Sequence, residues 1–218
     1  MEIVRLHLAS LRGVDGLEWP VHGFLIKHPK AGGILVDTGV GGPDKVLTDW
    51  RVVNHRAADV LAAEGLTPGD VKVVINTHLH FDHAGQNAVF KHAPFYVQRA
   101  ELERARRDQR WFTDWFDFMD ARFELLEGEA EIAEGVRVVP TPGHTAGHQS
   151  VLVEREDGGQ LMIGDAAYTP AMYSDPDRED LPPGQAADRD AWSRSLRHLH
   201  ALRPAAVHFC HHTEVVHS

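Results

Sequence analysis

One cysteine, Cys210, stands in a chain of 218 residues. No internal disulfide can form, and this usage fits a reducing compartment. No apolar run approaches the length needed to cross a bilayer. Residues 1–8 alternate apolar and polar side chains like a strand, without the basic start and longer apolar stretch of an export signal, so a cytoplasmic location is expected. Basic residues are outnumbered, 22 against 32 acidic, for a formal charge of −10. That balance lacks the electrostatic footprint of a nucleic-acid binder and the polybasic patch that anionic lipid attracts. Neither nucleic acid nor membrane is an expected partner. A serine nucleophile would lack its G-x-S-x-G turn, and no Cys–His pair has a sensible spacing.

Histidine, by contrast, is abundant, with sixteen copies. Three of them share Thr77-His78-Leu79-His80-Phe81-Asp82-His83 with one carboxylate. The stretch follows the β-branched run 71–76, which reads as a buried strand. Donors at i, i+2, i+4 and i+5 converge only if the chain curls around them as a loop does; helical ligands are usually spaced i, i+4. Neutral imidazole and carboxylate are the donors of zinc and neighbouring first-row ions. A solvated, histidine-rich loop tip is the plainer reading of an isolated His-x-His. Four ligand-type residues directly behind a core strand argue against it here.

The rest of the chain predicts one domain of mixed α and β over residues 1–218, with sheets at the centre and helices outside. Strands are expected at 23–28, 33–37, 95–97, 122–126, 135–140, 150–154, 160–163 and 205–209. Helices are expected at 54–65, 84–91 and 190–202, the last with Trp192, Leu196 and Leu199 inward. Residues 99–118 also read as helical and carry Trp111, Phe112, Trp115, Phe116 and Phe118. Such a stripe packs on a core more often than it lines a pocket for an apolar substrate. Residues 174–190, rich in Asp, Pro and Gly, read as a surface loop. Asp37, at a strand end beside glycine, taken alone reads as an ordinary turn.

Three later polar sites each follow a predicted strand: His144 and His148 in Thr141-Pro142-Gly143-His144-Thr145-Ala146-Gly147-His148, then Asp165, then His211. If the sheets run together, these join the 78–83 loop on one rim. The donors would then suffice for two metal ions about 3.5–4 Å apart, sharing a carboxylate and a water. Such a pair lowers the pKa of the shared water and polarises an acyl or phosphoryl oxygen.

The motifs HLHFDH, TPGHTAGH, a strand-end Gly164-Asp165 and a late strand-end histidine resemble the metallo-β-lactamase superfamily, over about residues 24–212. Within it, Phe81 in HLHFDHAG, the run TPGHTAGHQS and the tyrosine of Asp165-Ala166-Ala167-Tyr168 resemble the N-acyl-homoserine lactonases. The resemblance implies an α+β fold, the four-layer αββα sandwich, with two divalent metal ions, zinc first and manganese, iron or cobalt also acceptable. It implies His78, His80 and His144 on one metal, Asp82, His83 and His211 on the other, and Asp165 bridging. Asp82 and Tyr168 would serve catalysis, Tyr168 by bonding the lactone carbonyl or assisting the leaving oxygen. Asp37 would orient a ligating histidine. Phe81, Trp111 and Trp115 are candidate pocket walls. The expected reaction is opening of an N-acyl-homoserine lactone ring by a metal-bridging hydroxide, in a monomer or homodimer acting on a small lactone or ester.

Departures from the family pattern define the alternatives. The segment before residues 19–24 is shorter than such lactonases usually carry. His212 stands where an aspartate often follows the last ligand, and His208 and His212 compete with His211. Alternation puts His211 on the opposite face from both, and the family match selects it. His148 and Gln149 are expected to buttress their loop. A thioester hydrolase resembling glyoxalase II is the nearest alternative, opposed by Tyr168 and by the lack of a longer C-terminal substrate domain. A non-catalytic metal-binding protein of the same fold is the alternative of another class.

Overall fold

The chain, as a computed structural model, is described over residues 1–13, 16–108 and 113–217 and divides into two compact units. The first comprises Met1–Val97 and Ala105–Glu124, the second Gln98–Arg104 and Leu125–Ser218.

A seven-stranded mixed sheet organises the first unit. Its strands are β1 (Glu2–Arg12), β2 (Glu18–His28), β3 (Gly32–Val36), β4 (Val53–Asn54), β5 (Val71–Ile75), β6 (Phe95–Gln98) and β7 (Phe123–Leu126), in the order β4-β1-β2-β3-β5-β6-β7. In β1 the register shifts between His7 and Ala9. This bulge moves the buried set from Leu6 and Leu8 to Ala9 and Leu11, so both halves of a long strand face the core. β3 and β5 are parallel, pairing Leu35 with Val74 and Val36 with Ile75. Their carboxyl ends therefore lie side by side, which brings Asp37 against the loop that leaves β5. Helix α1 (Asp44–Asp49) and helix α2 (Ala57–Ala63) follow β3 and β4, and Leu61 of α2 packs with Leu8, Leu25, Val74, Phe90 and Phe95.

The aromatic segment departs from expectation. Helix α3 (Arg99–Arg107) stops short of the aromatic residues, and residues 114–116 form turns. The Thr113 carbonyl accepts from both Phe116 and Asp117 N–H, and Arg106 forms a two-pronged ion pair with Asp117 at 2.8 and 2.7 Å. Beyond these turns Phe118 packs edge-on against Phe95, 5.9 Å between ring centroids. Trp111 and Phe112 lie outside the described residues.

The second unit holds a six-stranded mixed sheet of β8 (Ala130–Ala133), β9 (Val136–Pro140), β10 (Gln149–Val153), β11 (Gln160–Met162), β12 (Ala206–His208) and β13 (Val215–His217), ordered β13-β12-β11-β10-β9-β8. β11 and β12 are parallel, and β10 is antiparallel to both β9 and β11. The end of β9, the start of β10 and the ends of β11 and β12 consequently share one edge. Residues 141–148, 164–168 and 209–212 all issue there. Helix α4 (Pro170–Ser174) and helix α5 (Arg189–Ala201) complete the unit. α5 starts at an Asp188 N-cap, whose carboxylate accepts the Ala191 N–H at 2.9 Å, and it buries Trp192, Leu196 and Leu199 as one stripe. The short elements α1, β4, β8, α4 and β13 have too few residues to show a period, and sequence did not announce them. Among the described residues, no helix is long and apolar enough to cross a membrane.

Candidate metal centre

In the first unit the donors of the 77–83 loop fall into two pairs. His78 Nε2 and His80 Nδ1 lie 2.9 Å apart. Two imidazoles on one tetrahedral zinc-type ion, with bonds of roughly 2.0–2.1 Å, have nitrogens about 3.3 Å apart, so this pair is close to ligating geometry. Asp82 Oδ2 and His83 Nε2 form the second pair, at 3.9 Å. The loop backbone is laced to residues 38–41. Thr38 N–H donates to His83 C=O at 2.7 Å, Gly41 N–H to Phe81 C=O at 2.9 Å, and Gly85 N–H to Gly39 C=O at 2.8 Å.

Asp37 organises this loop from behind. Its carboxylate accepts the Thr77 N–H at 2.8 Å, the Thr77 hydroxyl at 2.7 Å and His83 Nδ1 at 2.8 Å. A carboxylate accepts, so the His83 proton is on Nδ1 and the lone pair on Nε2. The Thr77 hydroxyl, already donating to Asp37, is left to accept from His78 Nδ1 at 3.1 Å. His78 therefore also presents Nε2. Asp37 does this from φ 59°, a left-handed conformation that Asp tolerates better than most side chains.

In the second unit a single carboxylate faces two imidazoles. Asp165 Oδ2 lies 3.3 Å from His144 Nε2, and Asp165 Oδ1 lies 3.3 Å from His211 Nε2. One oxygen toward each histidine is the arrangement a bridging carboxylate needs. His144 Nδ1 is 3.2 Å from the Gln185 carbonyl oxygen, an acceptor only, so its lone pair too is on Nε2. The Tyr168 ring packs edge-on against both, 5.9 Å from His144 and 5.3 Å from His211 between centroids. His148 is fully buried, takes the Asp165 N–H on Nε2 at 2.9 Å and turns Nδ1 to Thr141. It must be neutral with Nδ1 protonated, and it buttresses Asp165 as well as its own loop. His208 bonds Gln160 at 3.0 Å and His212 accepts from Glu214 N–H, which leaves His211 as the histidine facing Asp165.

Sequence reading overlooked three residues here. The Cys210 thiol lies within 4.8 Å of ligand atoms of Asp165 and His211; its place beside His211 was the available signal. Glu101, fully buried in α3, accepts the hydroxyl of Thr145 at 2.7 Å and pairs with Arg104. Gln185 comes from the segment read as surface loop and is fully buried; nothing in its composition announced that. Of the pocket candidates, Phe81 and Trp115 are both buried, and a Cβ on Gly42 would touch each at ordinary van der Waals distance. Trp50, 38% exposed, lies 6.1 Å from Phe81 between rings.

Buried imidazoles and carboxylates, with lone pairs turned one way by partners on the other side, fit divalent ions of the zinc type in both units. The sequence profile described as metallo-beta-lactamase superfamily matches residues 16–211. The chain belongs to this superfamily. The α+β fold read from HLHFDH and TPGHTAGH is therefore the superfamily's own. Its relatives include an N-acyl homoserine lactonase of Bacillus sp, 35% identical over 169 residues, or 70% of this chain and 66% of that protein. The N-acyl homoserine lactonase AttM of Azorhizobium caulinodans is 34% identical, over 91% of this chain and 83% of its own length. The aligned segment thus spans just under two thirds of the Bacillus sp protein. A crystal structure of a quorum-quenching N-acyl homoserine lactone lactonase matches with a TM-score of 0.82 at 27% identity, over 96% of this chain and 91% of that one. A Bacillus thuringiensis AiiA variant with N-decanoyl-L-homoserine at its active site gives 0.80 at 26%, over 96% and 92%.

Proposed function

We propose that this superfamily member is a metal-dependent hydrolase that opens the ester ring of N-acyl-homoserine lactones, a quorum-quenching activity. The observation that carries the reading is Asp165, one buried carboxylate with an oxygen toward each of His144 and His211 and the Tyr168 ring against both histidines. We assign His78, His80 and His144 to one divalent ion, Asp82, His83 and His211 to the other, and Asp165 to both, with zinc the first choice and manganese, iron or cobalt accepted by the same donors. When bound, such a pair supplies Lewis acidity and activates water near neutral pH.

The side chains supply the rest. Water adds to the ester carbonyl carbon, the ring C–O bond breaks, and the proton lost by water ends on the leaving alkoxide. Asp82 is the carboxylate that carries that proton. The Tyr168 hydroxyl donates a hydrogen bond to the carbonyl or leaving oxygen. Phe81 and Trp115, with Trp50 beside them, hold the acyl arm. The protein works in the cytoplasm as a monomer or homodimer.

The test is pH-indicator hydrolysis by metal-loaded protein, with metal content measured on the same sample. Acyl-homoserine lactones, simple lactones, a glutathione thioester and a phosphodiester are compared. Preference for the acylated homoserine lactones is expected. Turnover of the thioester alone would discard the lactonase reading in favour of the glyoxalase-II-like one.

A further inference from the structure

We propose that Gln185 is a positioning residue of the reaction, tying His144, Asp165 and Tyr168 into one unit. The proposal rests on the hydrolase reading for its kinetic consequence and on geometry for its existence. Gln185 is completely buried. Its backbone carbonyl oxygen accepts a hydrogen bond from His144 Nδ1–H at 3.2 Å, its side-chain nitrogen donates to the Asp165 carbonyl at 2.8 Å, and its side-chain oxygen accepts from the Tyr168 N–H at 3.2 Å. One residue thus fixes the tautomer of a candidate ligand and spans both ends of the turn from the shared carboxylate to the phenol.

The demand is specific to a primary amide. The Asp165 carbonyl needs a donor and the Tyr168 N–H an acceptor, and the glutamine fork offers both from one planar group. Glutamate would accept from Tyr168 but turn a second acceptor toward the Asp165 carbonyl. The segment carrying Gln185 is itself held. Its N–H donates to Pro182 C=O at 3.2 Å, and the next two amides but one, Ala187 and Asp188, both donate to the Gly143 carbonyl at 2.8 and 3.0 Å. Gly184, at φ 90°, comes close to the phenol: a Cβ there would lie 3.9 Å from the Tyr168 hydroxyl oxygen. Residues 182–188 are thus a largely exposed loop, as their composition suggests, from which Gln185 alone turns inward to support the Tyr168 backbone.

The experiment compares wild type with Gln185→Met, which keeps the volume and loses both side-chain bonds, and with Gln185→Glu. Each is loaded with cobalt(II) and read by visible absorption, metal stoichiometry and lactone kinetics. In Gln185→Met we expect two metals retained, an altered cobalt spectrum, and kcat lowered about 10–100-fold, the usual range for partners of metal ligands, with KM little changed. Gln185→Glu should lose at least as much. The kcat loss should shrink when Tyr168→Phe is already present, because the two act through one group. A wild-type spectrum with wild-type kcat, or a loss equally large beside Tyr168→Phe, overturns the proposal. Should the variants fail to fold, amide exchange in the unmodified protein decides: slow exchange of the Tyr168 N–H supports the tie, and unprotected exchange refutes it. If the wild type opens no lactone, the lactonase reading fails, while the cobalt spectra and amide exchange still judge the tie.

Discussion

The two candidate ligand groups are held in different ways. In the first unit the donors are contiguous, and a single carboxylate, Asp37, fixes His83 directly and His78 through Thr77. In the second unit His144, Asp165 and His211 come from three loops, and their supports are several: His148 accepts from the Asp165 N–H, Gln185 donates to the Asp165 carbonyl and accepts from His144, and Glu101 accepts from the neighbouring Thr145. A contiguous group can depend on one charged hub because local chain geometry does most of the aligning. A dispersed group has no such help, so each loop needs its own anchor. The first arrangement concentrates risk in one residue, and the second spreads it.

Breaking the shared element should have the largest effect. Asp165→Asn keeps the shape but loses the charge and one acceptor oxygen, so metal content should fall and hydrolysis be abolished; an active, fully metallated variant would refute the bridge. Next comes the hub. Asp37→Asn should lower metal affinity or kcat/KM by about 10–100-fold, seen by titration with a competing chelator. His148→Phe removes one support of several, and a loss at the low end of that range, about tenfold, is expected. A larger loss for His148→Phe than for Asp37→Asn would invert the comparison. Glu101→Gln keeps an acceptor for Thr145 but weakens the pair with Arg104. Its effect should appear in denaturant unfolding, at about 1–3 kcal/mol, more than in turnover. Most remote from the donors is an alkaline effect on stability. Burial raises the Tyr173 phenol from 10.0 to about 12. The folded state then holds its proton where the unfolded chain has lost it, so stability should decline from about pH 10 to about pH 12 and level off above. Phenolate absorbance and unfolding, followed together, check the sign.

The same contrast explains what the sequence disclosed. The 77–83 loop and the strand before it were readable because the donors and the reason for their convergence lie within one short stretch. Asp165 and His211 were readable as strand ends, and the parallel pairing of β11 with β12 explains why strand ends meet. Helix α5 was readable from Trp192, Leu196 and Leu199. Gln185 was not, because its burial is decided by contacts with residues 20 and 41 positions away. The aromatic segment misled for a related reason: the Arg106–Asp117 ion pair and the packing of Phe118 on Phe95 join residues far apart in sequence, which periodicity cannot register.

The close approach of Gly41 and Gly85 has a bearing on how this protein can change. A Cβ on either would overlap the backbone of the other, where residues 38–41 are laced to the ligand loop. No substitution that adds a side chain there leaves that lacing intact. Sequence change must therefore be accommodated elsewhere in this unit, as at exposed Trp50, whose side chain takes no part in that lacing. In a library randomised at positions 41, 50 and 85, position 50 should accept substitutions, and positions 41 and 85 should return as glycine.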